Sequence, residues 1–171
     1  HLVITNVPYK KLNELCDELR DFCGRNYADV KGDLANIFLS RCLDLSMANC
    51  GAVQIVMPQN WLFLTSYKQQ REHLLKSASW NLLARLGEKG FESAQAAGAF
   101  TIILTLTNRQ PSSEFKLVGV DVSAPKTAPE KARALLDFEL IQVTQSSQLK
   151  NPDARVAFAE GKKEVLLAKY A

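Results

Sequence analysis

The sequence predicts an α/β protein built on a sheet with parallel crossovers. Short apolar or β-branched runs bounded by turn residues alternate with segments of helical periodicity over the first hundred residues. No internal repeat or low-complexity stretch interrupts the alternation. At 171 residues and 47% hydrophobic, the chain is long enough to bury a real core as one domain.

Leu2-Val3-Ile4 is an apolar run that stops at Thr5-Asn6, the pattern of a short buried strand. From Lys11, the apolar positions Leu12, Leu15, Cys16, Leu19, Phe22 and Cys23 follow the i, i+3, i+4, i+7 rule of an amphipathic helix ending at Gly24. Leu34, Ile37, Phe38, Cys42 and Leu45 repeat that pattern after Gly32-Asp33. Gly51 opens the strand Ala52-Val53-Gln54-Ile55-Val56-Met57, which Pro58 stops. Ser66 and Gln69 stand at capping-box spacing and predict a helix over 67–76. Strands over 81–86, 100–106 and 115–122 follow. Thr127 and Glu130 repeat the capping-box spacing, with Pro129 in the first turn, where its missing N–H is harmless. A strand over 140–143 comes next, the stretch 146–159 is polar and turn-rich around Asn151-Pro152-Asp153, and the last residues suit a short helix. The expected organisation is one unit over 1–110 and an appended strand-helix-strand and linker over 111–171.

Composition narrows the chemistry. The net charge of +3 is evenly spread, with 10 basic and 8 acidic side chains in residues 1–85 and 11 and 10 in residues 86–171, so charge alone does not argue for nucleic acid. No apolar run approaches the roughly 18 residues of a membrane span, and no basic-then-apolar signal opens the chain, so a cytoplasmic protein with no membrane partner is expected. Cys16, Cys23, Cys42 and Cys50 lack the Cys-x-x-Cys spacing of a zinc site and read as reduced core residues. His73, beside Glu72, reads as a solvated helix residue. No metal site and no His-based nucleophilic mechanism is expected, since those need several such groups at once.

Asn6-Val7-Pro8-Tyr9 follows directly on the first strand, at the carboxyl end where open α/β sheets bind ligands. The competing reading is an ordinary strand-to-helix turn, for which Asn and Pro are common. The tetrapeptide resembles the Asn/Asp-Pro-Pro-Tyr motif of amino-group methyltransferases, with Val7 in place of the second residue's proline. Asp33-Leu34-Ala35-Asn36-Ile37-Phe38 looks like that family's next motif, which makes Asp33 and Asn36 cofactor-proximal. Gly51-Ala52-Val53-Gln54-Ile55-Val56-Met57-Pro58 with Gln59-Asn60-Trp61-Leu62-Phe63-Leu64 is similar to its fifth strand and following loop. Residues 3–108 fit the pattern in order and spacing. The variant tetrapeptide, the Pro-Gln-Asn-Trp-Leu-Phe-Leu-Thr-Ser-Tyr stretch, Gly119-Val120-Asp121-Val122-Ser123-Ala124-Pro125 and Gln148-Leu149-Lys150-Asn151-Pro152-Asp153 most resemble the adenine methyltransferases of bacterial BREX phage-defence systems, the PglX type.

The resemblance implies the C-terminal half of a Rossmann-like class I S-adenosylmethionine-dependent methyltransferase fold, with a mostly parallel sheet and a small α+β appendage leading toward a target-recognition region. It implies N6-methylation of a flipped adenine in double-stranded DNA, in phage defence or restriction-modification, with other defence-system subunits as possible partners. Asn6 and the Val7 carbonyl would accept the two amine hydrogens, Pro8 would shape the turn, and Tyr9 and Phe91 would stack on the base. Because Val7 contributes a backbone atom, the departure from proline costs rigidity and not the acceptor. Phe91 reads equally as a core residue near a loop, and Trp61 is divided between packing and DNA contact. No Gly-x-Gly occurs, so the main donor-binding motif is missing and the chain reads as a fragment that is inactive alone. Its first strand is then an open apolar edge, and self-association through that edge is expected. The alternatives are a protein or RNA methyltransferase using the same loop, and a catalytically silent interaction module of a defence complex.

Overall fold

The computed structural model describes residues 1–30, 32–91 and 98–158. Its strands are β1 (Leu2–Asn6), β2 (Ala52–Pro58), β3 (Ser79–Gly87), β4 (Thr101–Thr107), β5 (Lys116–Asp121) and β6 (Ile141–Thr144). They form one sheet in the order β1-β2-β4-β3-β5-β6. β1 pairs with β2, and β3 with β5, in parallel; the β2–β4, β3–β4 and β5–β6 pairs are antiparallel. Four strands therefore point the same way, and β4 slots between β2 and β3 against them. The carboxyl ends of β1, β2, β3 and β5 share one edge of the sheet. β5 and β6, from the segment after residue 111, extend the same sheet.

The helices are α1 (Asp17–Asn26), α2 (Leu34–Leu45), α3 (Lys68–Ser77), α4 (Ala128–Ala134) and α5 (Gln145–Gln148). β2 alternates as period-2 geometry requires: Val53, Ile55 and Met57 are fully buried, while Ala52, Gln54 and Val56 are half-buried. The main core joins Ile55, Met57, Ile102, Leu104, Leu106 and Leu83 of the sheet to Ala35 and Leu39 of α2 and Leu74 and Leu75 of α3. Ala84, Val120 and Val122 form a smaller cluster with Ala134 of α4 against it. The α4 capping box forms as predicted, Glu130 N–H donating to the Thr127 hydroxyl and Thr127 N–H to the Glu130 carboxylate.

Three expectations are corrected. The predicted helix from Lys11 to Gly24 is broken: a 3₁₀ turn spans Leu12–Glu14, Leu15 and Cys16 are extended, and α1 begins at Asp17 and runs past Gly24. The break follows from a tertiary tie, since Lys11 bridges to Asp33 and the Leu34 N–H donates to the Lys10 carbonyl. Of the cysteines, Cys23 and Cys42 are buried, but Cys16 and Cys50 are exposed because they sit at the head of α1 and in the turn before β2. The Ser66 capping box does not form; a 3₁₀ turn, Thr65–Tyr67, leads into α3 instead. The short helix expected at the end of the chain falls on 159–171, outside the described residues.

The loop after β2 is irregular, and its main-chain groups need partners. Arg71 of α3, fully buried, supplies them: its guanidinium donates to the carbonyls of Trp61, Leu64 and Asp153, the last two at 2.8 Å. Burial drags its pKa down to about 10, which still leaves it charged at neutral pH. The Val156 N–H completes the tie by donating to the Leu62 carbonyl at 3.1 Å. Arg71→Leu leaves three carbonyls without this donor, and at about 1–3 kcal/mol for each unsatisfied buried group we expect a loss of about 3 kcal/mol or more, read as a lower urea midpoint.

Candidate active site

Each carboxyl strand end at the shared edge carries a residue of interest. β1 ends in Asn6, followed by Val7, Pro8 and Tyr9. Asn6 and Pro8 are exposed, whereas Val7 is 4% exposed with its side chain in the core. The Val7 N–H continues the ladder by donating to the Val56 carbonyl at 3.4 Å. Tyr9 is half-buried against the core, and burial pushes its phenol pKa up while the neighbouring Thr101 side chain pulls it down.

A cavity of about 450 Å³ opens beside this loop. Tyr9, Lys10 and Lys11 form one wall, Gly32 and Asp33 a second, Pro58, Asn60, Trp61 and Leu64 a third, and Tyr67 closes it. The size is that of an ordinary small-molecule or base pocket.

Asp33 stands at the head of α2, where its carboxylate caps the helix by accepting the Asn36 N–H at 2.9 Å and the Asn36 side-chain amide at 3.1 and 3.0 Å. The Tyr67 hydroxyl donates to the same carboxylate at 2.7 Å. Asn36 is fully buried behind Asp33 and does not line the cavity; its side-chain oxygen has no partner among the described residues. Tyr67, which the sequence marks as a helix start and as the end of the 58–67 stretch of the resemblance, is thus part of the wall. Gly32 lies beneath it, and a Cβ there would fall 2.0 Å from the Tyr67 oxygen, so only glycine admits this ring position.

Trp61 is 1% exposed and packs on Trp80 at a ring separation of 5.5 Å. Of its two readings the structure places it in packing, because a side chain this buried presents no surface to DNA. Phe91 is half-buried in the loop after β3 and is not among the residues lining the Tyr9 cavity. A second concavity of about 270 Å³ lies at the neighbouring strand ends, lined by Gln59, Arg85, Gly87, Lys89, Ser123 and Lys126 among others. Its walls carry three basic side chains that sequence spacing did not bring together. Lys131 of α4 holds that end of the sheet, donating to the carbonyls of Leu86 at 2.6 Å and Val122 at 3.1 Å. Among the described residues, no three His, Cys, Asp or Glu side chains gather as a metal site, and no helix is long and apolar enough to cross a membrane.

Residues 1–91 match the model of the Eco57I restriction-modification methylase family. The chain belongs to that family. This member is 27% identical over 177 residues to the adenine-specific methyltransferase PglX of Lacticaseibacillus casei (strain Zhang), a match covering 98% of the chain and 14% of that protein. It is 32% identical over 89 residues to the adenine-specific methyltransferase BrxX of Escherichia coli O9:H4 (strain HS), covering 52% of the chain and 7% of that protein. The chain therefore spans less than a sixth of the length of either relative. Among solved structures, the methyltransferase subunit of the type I restriction-modification system from Streptococcus thermophilus superposes with a TM-score of 0.61 at 15% identity, over 90% of this chain and 36% of that one. The fold is that of class I S-adenosylmethionine-dependent methyltransferases.

Tyr67 offers a direct check on the cavity wall. Its phenol pKa is raised above the ordinary 10.0, by burial first and then by the bond to Asp33 and the charge on that carboxylate. A raised folded-state pKa means that the folded protein holds its proton where the unfolded chain has lost it. This contribution to stability is present below pH 10.0 and is lost as pH climbs above it. Tyr67→Phe is expected to lower stability at pH 7 by about 1 kcal/mol and to flatten the decline above pH 10.0, measured by urea unfolding at both pH values.

Proposed function

We propose that this chain is the target-base half of a site-specific DNA adenine-N6 methyltransferase acting in phage defence or restriction-modification. S-adenosylmethionine is the methyl donor and double-stranded DNA the substrate. One observation carries the reading: Asn6-Val7-Pro8-Tyr9 ends a parallel strand beside a cavity whose other walls come from the head of α2 and the loop after β2. The family match and the two relatives named as adenine-specific methyltransferases support it.

The chemistry follows from the substrate. The lone pair of an exocyclic adenine amine is delocalised into the ring, so the nitrogen is a poor nucleophile. The Asn6 side-chain oxygen and the Val7 main-chain oxygen each accept one amine hydrogen, which lets the nitrogen pyramidalise toward the methyl group. Tyr9 stacks on the extruded base, an interaction worth about 1–3 kcal/mol per base, and Phe91 supplies a second aromatic from the loop after β3.

The cavity wall suits one end of the donor, since it offers the negative charge of Asp33, held in place by Asn36 and Tyr67, to a cationic group and aromatic rings to an apolar face. Asp33 and Tyr67 are the residues of this chain that would hold it, with Asn36 fixing the Asp33 carboxylate from behind. The donor, when bound, supplies the methyl group. Residues 111–171 lead toward the target-recognition region, and the whole protein works in the cytoplasm with other defence subunits.

The test is N6-methyladenine formation in unmodified DNA by the full-length protein. Asn6→Ala is expected to lower the rate by about a hundredfold or more. Equal rates for both proteins would overturn the assignment.

A further inference from the structure

In a parallel pair, each bonding residue of one strand donates to the residue before its partner and accepts from the residue after it. The ladder between β1 and β2 can be followed residue by residue. The His1 carbonyl accepts from the Ala52 N–H at 2.9 Å, and the Val7 N–H donates to the Val56 carbonyl at 3.4 Å. With Asn6 opposite Val56, the register places Val7 opposite residue 57. The donor due to the Val7 carbonyl is then the N–H of residue 58. That residue is proline, which has none.

The other side of β2 gives the same orientation independently. The Gln59 N–H points to β4 and donates to the Phe100 carbonyl at 2.9 Å. Main-chain N–H groups alternate sides along a strand, so the nitrogen of residue 58 faces β1. Among the described residues, no donor bonds the Val7 carbonyl. Proline is disfavoured inside a sheet because it removes a ladder bond, and β2 is paired on both flanks. The one bond removed here is the one that would occupy the oxygen of the second motif residue.

We infer that Pro58 is a positioning residue for the target amine. By withholding an N–H, it leaves the Val7 carbonyl at the strand end as an unoccupied acceptor, held rigid by the ladder behind it. Pro58 and Tyr9, which flank that carbonyl, both line the cavity. This assignment rests on the reading of the tetrapeptide as the amine-binding loop, and it identifies what keeps the second acceptor free where the motif has valine.

The experiment compares three full-length proteins: native, Pro58→Ala, and one with lactic acid at position 58, whose ester linkage has neither the ring nor an N–H. The N–H that Pro58→Ala introduces is expected to bond the Val7 carbonyl. The alanine variant should therefore unfold at a higher temperature and exchange its new amide slowly with deuterium. Its kcat for adenine methylation should fall by about tenfold or more, with KM for DNA little changed. The ester protein should recover most of the native kcat. A purely structural proline would instead lower stability in both variants and leave them equally slow. Native kcat in Pro58→Ala, an ester protein as slow as the alanine variant, or rapid exchange of the introduced amide would each overturn the inference. Full activity in Asn6→Ala, run alongside, would sink the catalytic reading and with it the role of Pro58 in methylation. The exchange arm does not use methylation, and slow exchange of the introduced amide beside that result would mark the failure as one of the motif assignment and not of the ladder geometry.

Discussion

The parallel register between β1 and β2 is the constraint from which the site follows. Pairing Leu2 with Ala52 and Asn6 with Val56 brings the carboxyl end of β1 level with the carboxyl end of β2. A parallel pair needs a long crossover, and the segment between these strands is that crossover, carrying α1 and α2. Asp33 at the head of α2 is thereby returned to the same edge as Tyr9 and Asn60. A one-residue slip would reverse every side chain of β1 and turn Val7 out of the core. The fully buried face of β2, against α2 and α3, fixes the register of that strand.

Around that edge the chain leaves regular structure, and irregular backbone leaves carbonyls unpaired. Long polar side chains drawn into the protein satisfy them. Arg71 holds the loop after β2 to the segment around Asp153. Lys131 ties the ends of β3 and β5. At the opposite end of the sheet, where α3 turns into β3, Gln145 accepts from the Trp80 N–H at 2.8 Å and donates to the Leu75 and Ala78 carbonyls at 2.9 and 2.8 Å. Buried polar groups are costly unless bonded. The bonds these three donate all go to main-chain carbonyls, so they act as braces and not as free functional groups.

Local signals are legible wherever local forces decide. The α2 bounds follow from Gly32-Asp33 and the 3.6 period, and the α4 start from Thr127 and Glu130, because an N-cap is a bond between near neighbours. β2 and β4 are equally plain as β-branched runs between turn residues. The first helix is not, because the period of Leu12 to Cys23 is indifferent to the Lys11–Asp33 bridge that breaks it. Ser66 and Gln69 have the spacing of a cap, yet the Tyr67 ring, held between Gly32 and Asp33, sets the chain's entry into α3. Trp61 suits packing and DNA contact equally in the sequence, and its contact with Trp80 decides for packing.

By itself the sequence determined the alternation of strands and helices, the family resemblance, and the tetrapeptide at the end of the first strand, all of which are written in nearest-neighbour chemistry and short periods. The tertiary structure alone decided which groups meet there. It placed Tyr67 on Asp33, set the buried Arg71 against three carbonyls, and put the nitrogen of Pro58 opposite the Val7 carbonyl. Those partners lie 34, up to 82 and 51 residues apart. No local propensity reaches so far; only burial of the sheet's apolar face, with the strand register it imposes, brings them within reach of each other.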